Sequence, residues 1–473
     1  MRQLNGIDAD MIYGETAASH MHVLGLLILD PSTAPDGFGV QDWRRLVASQ
    51  LEHLPPLRER LVRVPFGLDR PYWVNDPDLD LDNHIHHHGL PSPGGSRELA
   101  TLVGELAGTK LDLGAPLWKM WFIEGLEDGR VAVLTKVHHA CIDGIAGSMM
   151  LARLFTTDRE ASPSPSSPGA RDVEPLPSEA ELLTRSLGSL ITTPLRAARA
   201  AQQTAASVGK LLRLRSTRTW DTTTLPFQAP PSSLNQAITP RRSFAYCAVP
   251  LEQVKRVKRA FDVTVNDVVV TICGGALRAY LESRNELPEA SLLAAIPVSA
   301  RSEDQATSFG NAVSGMFATL ATDLKDPLER LRAVSRGTRS AKELYASGIE
   351  DALMEWAGMP RPVAFSLLVR LLSWLDLSER LPPVFNILIS NVPGPPVPLY
   401  AAGAQLLACY PMGPLIDRIA LNVSVLSCSG EVGFGFLTCP DVVEDPWAIS
   451  DRIPQALEEL VVAAQLAERE SGG

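Results

Sequence analysis

Residues 130–144 read RVAVLTKVHHACIDG, and this stretch decides the fold expected for the chain around it. A run of apolar and β-branched residues follows the turn-forming pair Asp128-Gly129, which predicts a buried strand over residues 130–138. Apolar residues at helical spacing then predict a helix over residues 144–155. A strand that passes through a short turn into a helix indicates a mixed α/β fold with polar residues placed at the strand's end.

Two adjacent histidines, His138 and His139, end that strand, and Asp143 and Gly144 follow after the turn. Successive strand residues point to opposite faces, so only one of the two histidines can face a given cleft. Imidazole has a pKa near neutral pH and can take the proton of an attacking hydroxyl, while Gly144 permits the turn. The HHxxxDG pattern therefore predicts a histidine base that can take the proton of a hydroxyl, as acyl transfer to an alcohol would require; the alternative is a buried polar knot that closes the turn.

Histidines are distributed unevenly along the chain. All nine of them lie at or before His139. If the base is a histidine, the C-terminal half cannot supply it and is expected to complete the cleft and bind substrate. No GxSxG motif typical of a serine nucleophile occurs.

The rest of the chain predicts two mixed α/β halves. We interpret residues 1–155 as a first domain and residues 241–473 as a second, each with its own strands and helices. In the second half, strands are predicted over 385–391, 419–427 and 433–438, and a terminal helix over 446–466. Residues 156–240 begin and end rich in proline and serine, which predicts a partly helical linker.

Composition excludes several function classes. The chain has 43 basic and 54 acidic residues, a net charge of −11, which disfavours nucleic-acid binding. Six scattered cysteines without a CxxC pair indicate free thiols in a reducing compartment. No secretory signal and no long uninterrupted apolar run is found, so we expect a cytoplasmic protein without a spanning helix.

The run His84-Ile85-His86-His87-His88 invites comparison with a metal site. Adjacent histidines cannot easily all reach one ion, and no cysteine or carboxylate spacing accompanies them. We therefore expect an exposed polar loop here, and no functional metal.

Several ordered motifs together resemble the bacterial wax ester synthase/diacylglycerol acyltransferase family, within the chloramphenicol-acetyltransferase-like superfamily. The resemblance covers essentially the whole chain. Beside HHxxxDG it rests on MHV at 21–23, PLW at 116–118, NDVV at 266–269, PVSAR at 297–301 and SNVPGP at 390–395. It implies two chloramphenicol-acetyltransferase-like domains, each a mixed β-sheet with helices, and an active-site cleft or tunnel between them.

The resemblance also implies roles for individual residues. The second motif histidine is the family's general base, which is His139 here, with His138 in support. The motif aspartate, Asp143, is mainly structural, and Arg301 is its candidate partner. Further candidates for substrate binding are Asn266, Asp267, Arg301, Ser390 and Asn391. Asn266 or Asp267 is also interpreted as a helix cap, which we favour over a role in shaping the acyl-CoA tunnel.

The implied reaction transfers a long-chain acyl group from acyl-CoA, a co-substrate, to the hydroxyl of diacylglycerol, and needs no cofactor. Wax ester synthesis from a fatty alcohol is the alternative within the same chemistry. A non-catalytic lipid- or carrier-binding module and a peptide-synthetase condensation domain are alternatives of other classes. The intact HHxxxDG argues against the first, and the uninterrupted lipid-enzyme motifs and absence of an attached carrier domain argue against the second.

A basic stretch over residues 182–220 predicts contact with a lipid surface. It holds seven positive charges and no acidic residue: Arg185, Arg196, Arg199, Lys210, Arg213, Arg215 and Arg218. With apolar residues interleaved, this pattern is typical of a segment that lies on an anionic membrane or lipid droplet, although a solvated helical linker is the equal alternative. The apolar run over 362–377 is interpreted as a core helix, with an interface role as its alternative.

Overall fold

The computed structural model describes residues 1–142, 144–160, 176–186, 202, 228–299, 313–345 and 383–471. Asp143, Arg301, most of the basic stretch 182–220 and the apolar run 362–377 lie outside the described residues. The predictions made for these residues stay predictions.

The described strands form three sheets. They are β1 (Arg2–Gln3), β2 (His22–Asp30), β3 (Glu59–Val62), β4 (Tyr72–Asn75), β5 (Ile85–Gly89), β6 (Trp118–Glu124), β7 (Val131–His138), β8 (Ser243–Pro250), β9 (Leu293–Ser299), β10 (Val313–Thr319), β11 (Ile387–Val392), β12 (Tyr400–Ala401), β13 (Ala404–Met412), β14 (Leu421–Cys428) and β15 (Glu431–Thr438). The described α-helices are α1 (Gly6–Tyr13), α2 (Val40–Gln50), α3 (Pro55–Arg58), α4 (Ser96–Gly108), α5 (Gly144–Leu154), α6 (Leu251–Phe261), α7 (Val265–Ser283), α8 (Pro327–Tyr345), α9 (Trp447–Ser450) and α10 (Ile453–Ser471).

The first six-stranded sheet has the order β12-β13-β2-β7-β6-β5. Its central strand β7 is buried along its whole length, as its run of apolar and β-branched residues predicts. β7 pairs antiparallel with β2 on one side and β6 on the other. The strand predicted over 130–138 and the helix predicted over 144–155 are thus confirmed as β7 and α5.

The second six-stranded sheet has the order β10-β9-β11-β14-β15-β8, with parallel pairing of β11 to both β9 and β14. The buried helix α7 and helices α6, α8 and α10 cover it and share one apolar core with its strands. Each half therefore has its own sheet and helices, and the mixed α/β class predicted from the sequence is confirmed.

The two halves exchange strands near the centre of the molecule. Strands β12 and β13 come from residues 400–412, yet they extend the first sheet beside β2. The predicted boundary at residue 241 thus does not separate the sheets completely. β13 also passes close to β15, where a Cβ at Gly433 or Gly435 would overlap a carbonyl oxygen of β13. Glycine is required at these two positions because backbones approach directly.

A small third sheet, β1-β4-β3, lies beside the first half. The loop between β3 and β4 carries Phe66, which is 85% exposed and has a φ of 57°. At the base of this loop, Val64 and Tyr72 share a small apolar core with Leu182. The start of the basic stretch therefore packs against this sheet.

Two sequence predictions are corrected by the fold. Residues 84–88 are not a loop: Ile85–Gly89 forms the edge strand β5, paired in parallel with β6. An edge strand whose outer positions are polar has the composition of a loop, which explains the error. The terminal helix expected over 446–466 is broken into α9 and α10, because Pro454 lacks an N–H and is accommodated in the first turn of the second helix.

Two chemical features of the described residues bear on ligands and membranes. No group of three histidine, cysteine or carboxylate side chains among them is placed to hold a metal ion. No single described helix has both the length and the apolar character to cross a bilayer; only α6 and α7, bent by 106° at their junction, meet those criteria as a pair.

Candidate active site

The turn after β7 places the HHxxxDG residues at the junction between the sheet and α5. The backbone N–H groups of Cys141 and Ile142 donate to the carbonyl oxygens of His138 and His139, at 2.9 and 3.3 Å. Helix α5 begins at Gly144, as expected from the sequence. The turn is closed by main-chain hydrogen bonds, so the histidines keep fixed positions at the strand's end.

His139 is anchored by the neighbouring strand. Its backbone N–H donates to the carbonyl oxygen of Met21 at 2.8 Å. Met21 has a φ of 49°, a left-handed conformation that is uncommon for a residue other than glycine. Because this conformation aims the Met21 carbonyl at His139, the entry of β2 holds the backbone of the candidate base.

An apolar cavity of about 220 Å³ lies beside His139. Thr135 and Val137 of β7, and His139 directly after it, line the cavity together with β2 and β13. Helix α5 and strands β11 and β14 of the second sheet provide the facing wall. His139 is half-buried on the β7 side of the cavity, so an apolar substrate in the cavity can bring a polar head to its imidazole.

His138 faces away from this cavity and is fully buried. Its Nδ1 accepts a hydrogen bond from the backbone N–H of Ala140 at 3.1 Å. Burial first, and then the neighbouring His139, lower the pKa of His138 to about 3. His138 is therefore a neutral ring beneath the turn, which fits a supporting role better than proton transfer with a substrate.

Glycines open the cavity where side chains would otherwise fill it. Gly25 lies in the middle of β2, between Thr135 of β7 and Pro411 of β13. A Cβ at Gly25 would meet no atom within 4 Å, and the same holds for Gly147 on α5. Both line the cavity. Gly25 is about 13 Å along the strands from His139, at about 3.3 Å per residue.

The cavity wall is polar at a few points only. Ser390 and Ser424 lie on neighbouring strands of the second sheet, in register with each other. The hydroxyl of Ser424 donates to Asn422 Oδ1 at 2.8 Å, so it is already engaged within the protein. Ser390 was a sequence-predicted candidate for substrate binding, and the structure places it on the wall that faces His139's side of the cavity.

Other predicted residues of the second half cluster behind this wall. Asn391 Nδ2 donates to Asn266 Oδ1 at 3.3 Å, which joins the NDVV and SNVPGP motifs. Among the described residues that line the cavity, neither of these two asparagines nor Asp267 is found. Their predicted contact with substrate stays a prediction.

Asp267 serves the start of α7, but in a different position from the one expected. The helix cap is Thr264, and Asp267 is the third helical residue of a capping box. Asp267 Oδ2 accepts from the Thr264 N–H at 2.9 Å, and Oδ1 accepts from Thr338 Oγ1 at 2.6 Å. The carboxylate is buried among protein donors, which favours the structural reading of this motif.

Sequence reasoning missed Met21 and the two cavity glycines as parts of the site. Met21 was read as a family motif residue, and nothing in its neighbours signals a positive φ. A glycine inside a strand of apolar residues, such as Gly25 in VLGLLIL, is a usable signal, because it weakens a strand unless space is needed there.

Comparison with known protein families assigns both halves of the chain. The model of the "Wax ester synthase/diacylglycerol acyltransferase catalytic domain" matches residues 4–269. The model of the "WS/DGAT C-terminal domain" matches residues 309–461. A Mycobacterium tuberculosis protein named "Putative diacyglycerol O-acyltransferase" is 36% identical over 465 residues, covering 98% of this chain and 90% of that protein.

Solved structures agree with this assignment. The "Wax ester synthase/diacylglycerol acyltransferase from Marinobacter aquaeolei VT8" has a TM-score of 0.69 at 30% identity, covering 98% of this chain and 100% of that one. The first condensation domain of the CDA synthetase matches with a TM-score of 0.57 at 15% identity, covering 98% of this chain and 96% of that one. The second similarity concerns the fold alone.

Proposed function

This chain belongs to the wax ester synthase/diacylglycerol acyltransferase family and is an acyltransferase, and from this we propose that it acylates diacylglycerol with His139 as general base. The observation that carries the proposal is the position of the His139 imidazole on the wall of an apolar cavity between the two sheets. A long-chain alcohol or diacylglycerol presents one hydroxyl on an apolar body, which matches an apolar lining that carries a few polar groups.

In the proposed reaction, His139 accepts the proton of the acceptor hydroxyl as its oxygen attacks the thioester carbon of acyl-CoA. The C–O bond forms and the carbonyl electrons move to oxygen, which gives a tetrahedral oxyanion. When the carbonyl reforms, the C–S bond breaks and the proton passes from His139 to the thiolate of coenzyme A. The products are the ester and free thiol, and no covalent acyl-enzyme is needed.

The oxyanion needs hydrogen-bond donors placed in advance. We propose the N-terminal turn of α5, which begins five residues after His139, as one source, because the first backbone N–H groups of a helix have no partner within the helix. The hydroxyl of Ser390 on the facing wall is the other. Both would act on charge that develops within an apolar cavity, where a hydrogen bond to an anion is strong.

Diacylglycerol is favoured as acceptor because the mycobacterial relative is named for that activity. The Marinobacter structure is named for both wax ester and diacylglycerol chemistry, so a fatty alcohol is the second candidate. The test is to incubate purified protein with labelled palmitoyl-CoA and either dioleoylglycerol or hexadecanol. Triacylglycerol as the main product supports the proposal, and wax ester alone replaces it by the alternative.

We further propose peripheral contact with the anionic lipid surface in which diacylglycerol resides. The basic stretch 182–220 supports this by its charge, since seven cations stand in a chain of net −11. The exposed Phe66 supports it by position, because its loop packs against Leu182 at the start of that stretch. An exposed aromatic beside a basic segment is typical of proteins that bind at a membrane interface.

A further inference from the structure

Three buried histidines lie together on the face of the first sheet that points away from the cavity. The ring centroids of His20 and His22 are 5.5 Å apart, and those of His22 and His138 are 5.9 Å apart. His22 and His138 are directly paired residues of β2 and β7. The three side chains are 5%, 3% and 0% exposed, so the cluster is shut off from bulk solvent.

The hydrogen bonds at the two ends of this cluster fix the tautomers of the end rings. Nδ1 of His138 accepts from the Ala140 N–H at 3.1 Å, so the proton of the neutral ring is on Nε2. Nε2 of His20 lies 2.9 Å from the Ala17 carbonyl oxygen, which can only accept, so His20 is also protonated on Nε2. Burial lowers the pKa of His20 to about 4 and that of His138 to about 3, which keeps both rings neutral.

Four ring nitrogens of the cluster have no hydrogen-bond partner among the described residues: His138 Nε2, His20 Nδ1 and both nitrogens of His22. From the tautomers, His138 Nε2 offers a proton and His20 Nδ1 offers a lone pair. The central ring, His22, has one donor and one acceptor in its neutral form. Each ring can therefore donate towards the next in one direction, from His138 through His22 to His20.

The same tautomers exclude a metal ion shared by the cluster. A ligating nitrogen must carry a free lone pair, but His138 Nε2 is the protonated nitrogen and its Nδ1 is occupied by Ala140. This agrees with the finding that no metal-binding group exists among the described residues. An unsatisfied buried donor or acceptor costs about 1–3 kcal/mol, so the four ring nitrogens need hydrogen-bond partners other than a metal ion.

We propose that His138, His22 and His20 form one directed hydrogen-bonded chain, relayed by buried water, that positions the catalytic turn. The chain connects the Ala140 N–H, on the turn that carries His139, to the Ala17 carbonyl, in the loop that precedes Met21. Met21 in turn holds the His139 N–H. His22 is the central positioning residue, because it alone must both accept and donate.

The expected effect on rate rests on the proposed function. The tautomers of His138 and His20 do not depend on any activity. The kinetic test compares His22→Phe, which can neither donate nor accept, with His22→Gln, which can do both. His84→Phe and His84→Gln are the matched controls, because His84 is a buried histidine whose ring bonds the Trp118 carbonyl and is not among the three rings of the cluster.

We expect His22→Phe to lower kcat about tenfold or more with little change in the KM for acyl-CoA, since a shifted base affects the chemical step. His22→Gln should restore most of kcat. Both His84 variants should keep the wild-type kcat, although replacing a buried side chain should lower their free energy of unfolding. Wild-type kcat in His22→Phe, or equal losses in the Gln and Phe variants, would overturn the proposal.

Selective ¹⁵N-histidine NMR of the wild-type protein tests the hydrogen-bonded chain of histidines without substrate. We expect neutral Nε2–H rings for His138 and His20, assigned by single substitutions, and a change in the His138 signal in His22→Phe. An Nδ1–H or charged His138 contradicts the chain. If the wild-type protein acylates no acceptor, the proposed function fails. The NMR result still tests the hydrogen bonds of the three histidines, because it needs no substrate.

Discussion

The backbone N–H of His139 donates to the carbonyl oxygen of Met21 at 2.8 Å, and Met21 has a φ of 49°. The backbone of the candidate base is thus held by the residue that precedes β2 and by the closed turn after β7. A backbone held at both points fixes where the imidazole projects from the main chain, and a fixed starting point favours proton transfer with a bound hydroxyl.

The first prediction concerns the base itself. His139→Ala is expected to lower kcat about 10²- to 10⁴-fold, the range that general-base catalysis supplies, with circular dichroism and Tm close to wild type. Measured on the same acyl-CoA, His138→Ala should cost less, because its ring faces away from the cavity and acts through geometry. Turnover of His139→Ala at the wild-type rate would remove the assignment.

A second prediction follows from the space above Gly25. Gly25→Val adds a branched side chain to the cavity floor, where no atom lies within 4 Å of the new Cβ. The variant should fold, retain activity on short acyl chains and lose activity on long ones, as seen by kcat/KM over a series of acyl-CoA lengths. Gly89→Val, at the open end of the edge strand β5, is the control. Equal loss on all chain lengths would mean that Gly25 does not border the chain.

Much of this arrangement can be predicted from sequence, and the reasons for the exceptions are physical. The strand β7 and helix α5 follow from local periodicity and turn residues, and the site follows from the HHxxxDG motif at their junction. The contribution of β13 to the first sheet cannot be predicted in this way, because pairing between residues 30 and 405 depends on contacts distant in sequence. The positive φ of Met21 and the pairing of His22 with His138 likewise depend on the packing of β2 against β7, which local sequence does not reveal.

The third prediction separates structure from substrate binding at Asp267. Asp267→Ala removes the acceptor for the Thr264 N–H and for Thr338 Oγ1 in a buried setting. The free energy of unfolding should fall by about 2–3 kcal/mol, measured by urea denaturation. The folded fraction should keep the wild-type KM for acyl-CoA. A raised KM without loss of stability would instead support a direct role in binding.

A fourth prediction concerns acid stability. The folded-state pKa of His138 is lowered from 6.5 to about 3 because the ring is buried, so below pH 6.5 the unfolded chain takes up a proton that the folded chain does not. The free energy of unfolding should therefore fall as pH drops from 6.5 towards 3, by about 1.4 kcal/mol per pH unit from this residue. His20 and His22 are lowered in the same direction, chiefly by burial.

Urea denaturation at pH 6.5 and pH 5 tests this dependence. His138→Gln should show a smaller loss between the two pH values than wild type, because one titrating group is removed. His53→Gln, at an exposed position, should keep the wild-type dependence. Identical pH dependence in all three proteins would show that His138 does not stay neutral through burial.

The last prediction addresses the proposed lipid surface. The triple variant Arg196→Glu, Arg199→Glu and Arg213→Glu reverses three charges of the basic stretch. Each basic residue near an anionic surface contributes about 1 kcal/mol, so the loss of three cations and the repulsion of three new carboxylates should weaken binding to vesicles with anionic phospholipid by at least about 100-fold. Binding to the same vesicles in high salt should be weak for both proteins, since salt screens the attraction.

A charge-matched control distinguishes this surface from a general effect of net charge. Arg332, Arg336 and Arg339 are exposed along one helix, α8, and their reversal to Glu changes the net charge by the same amount. Vesicle sedimentation should leave the α8 variant bound and the triple variant of residues 196–213 free. Both variants should acylate diacylglycerol dispersed in detergent at the wild-type rate. If the triple variant still binds anionic vesicles, the basic stretch is a solvated linker, and contact with lipid has to be sought at the Phe66 loop.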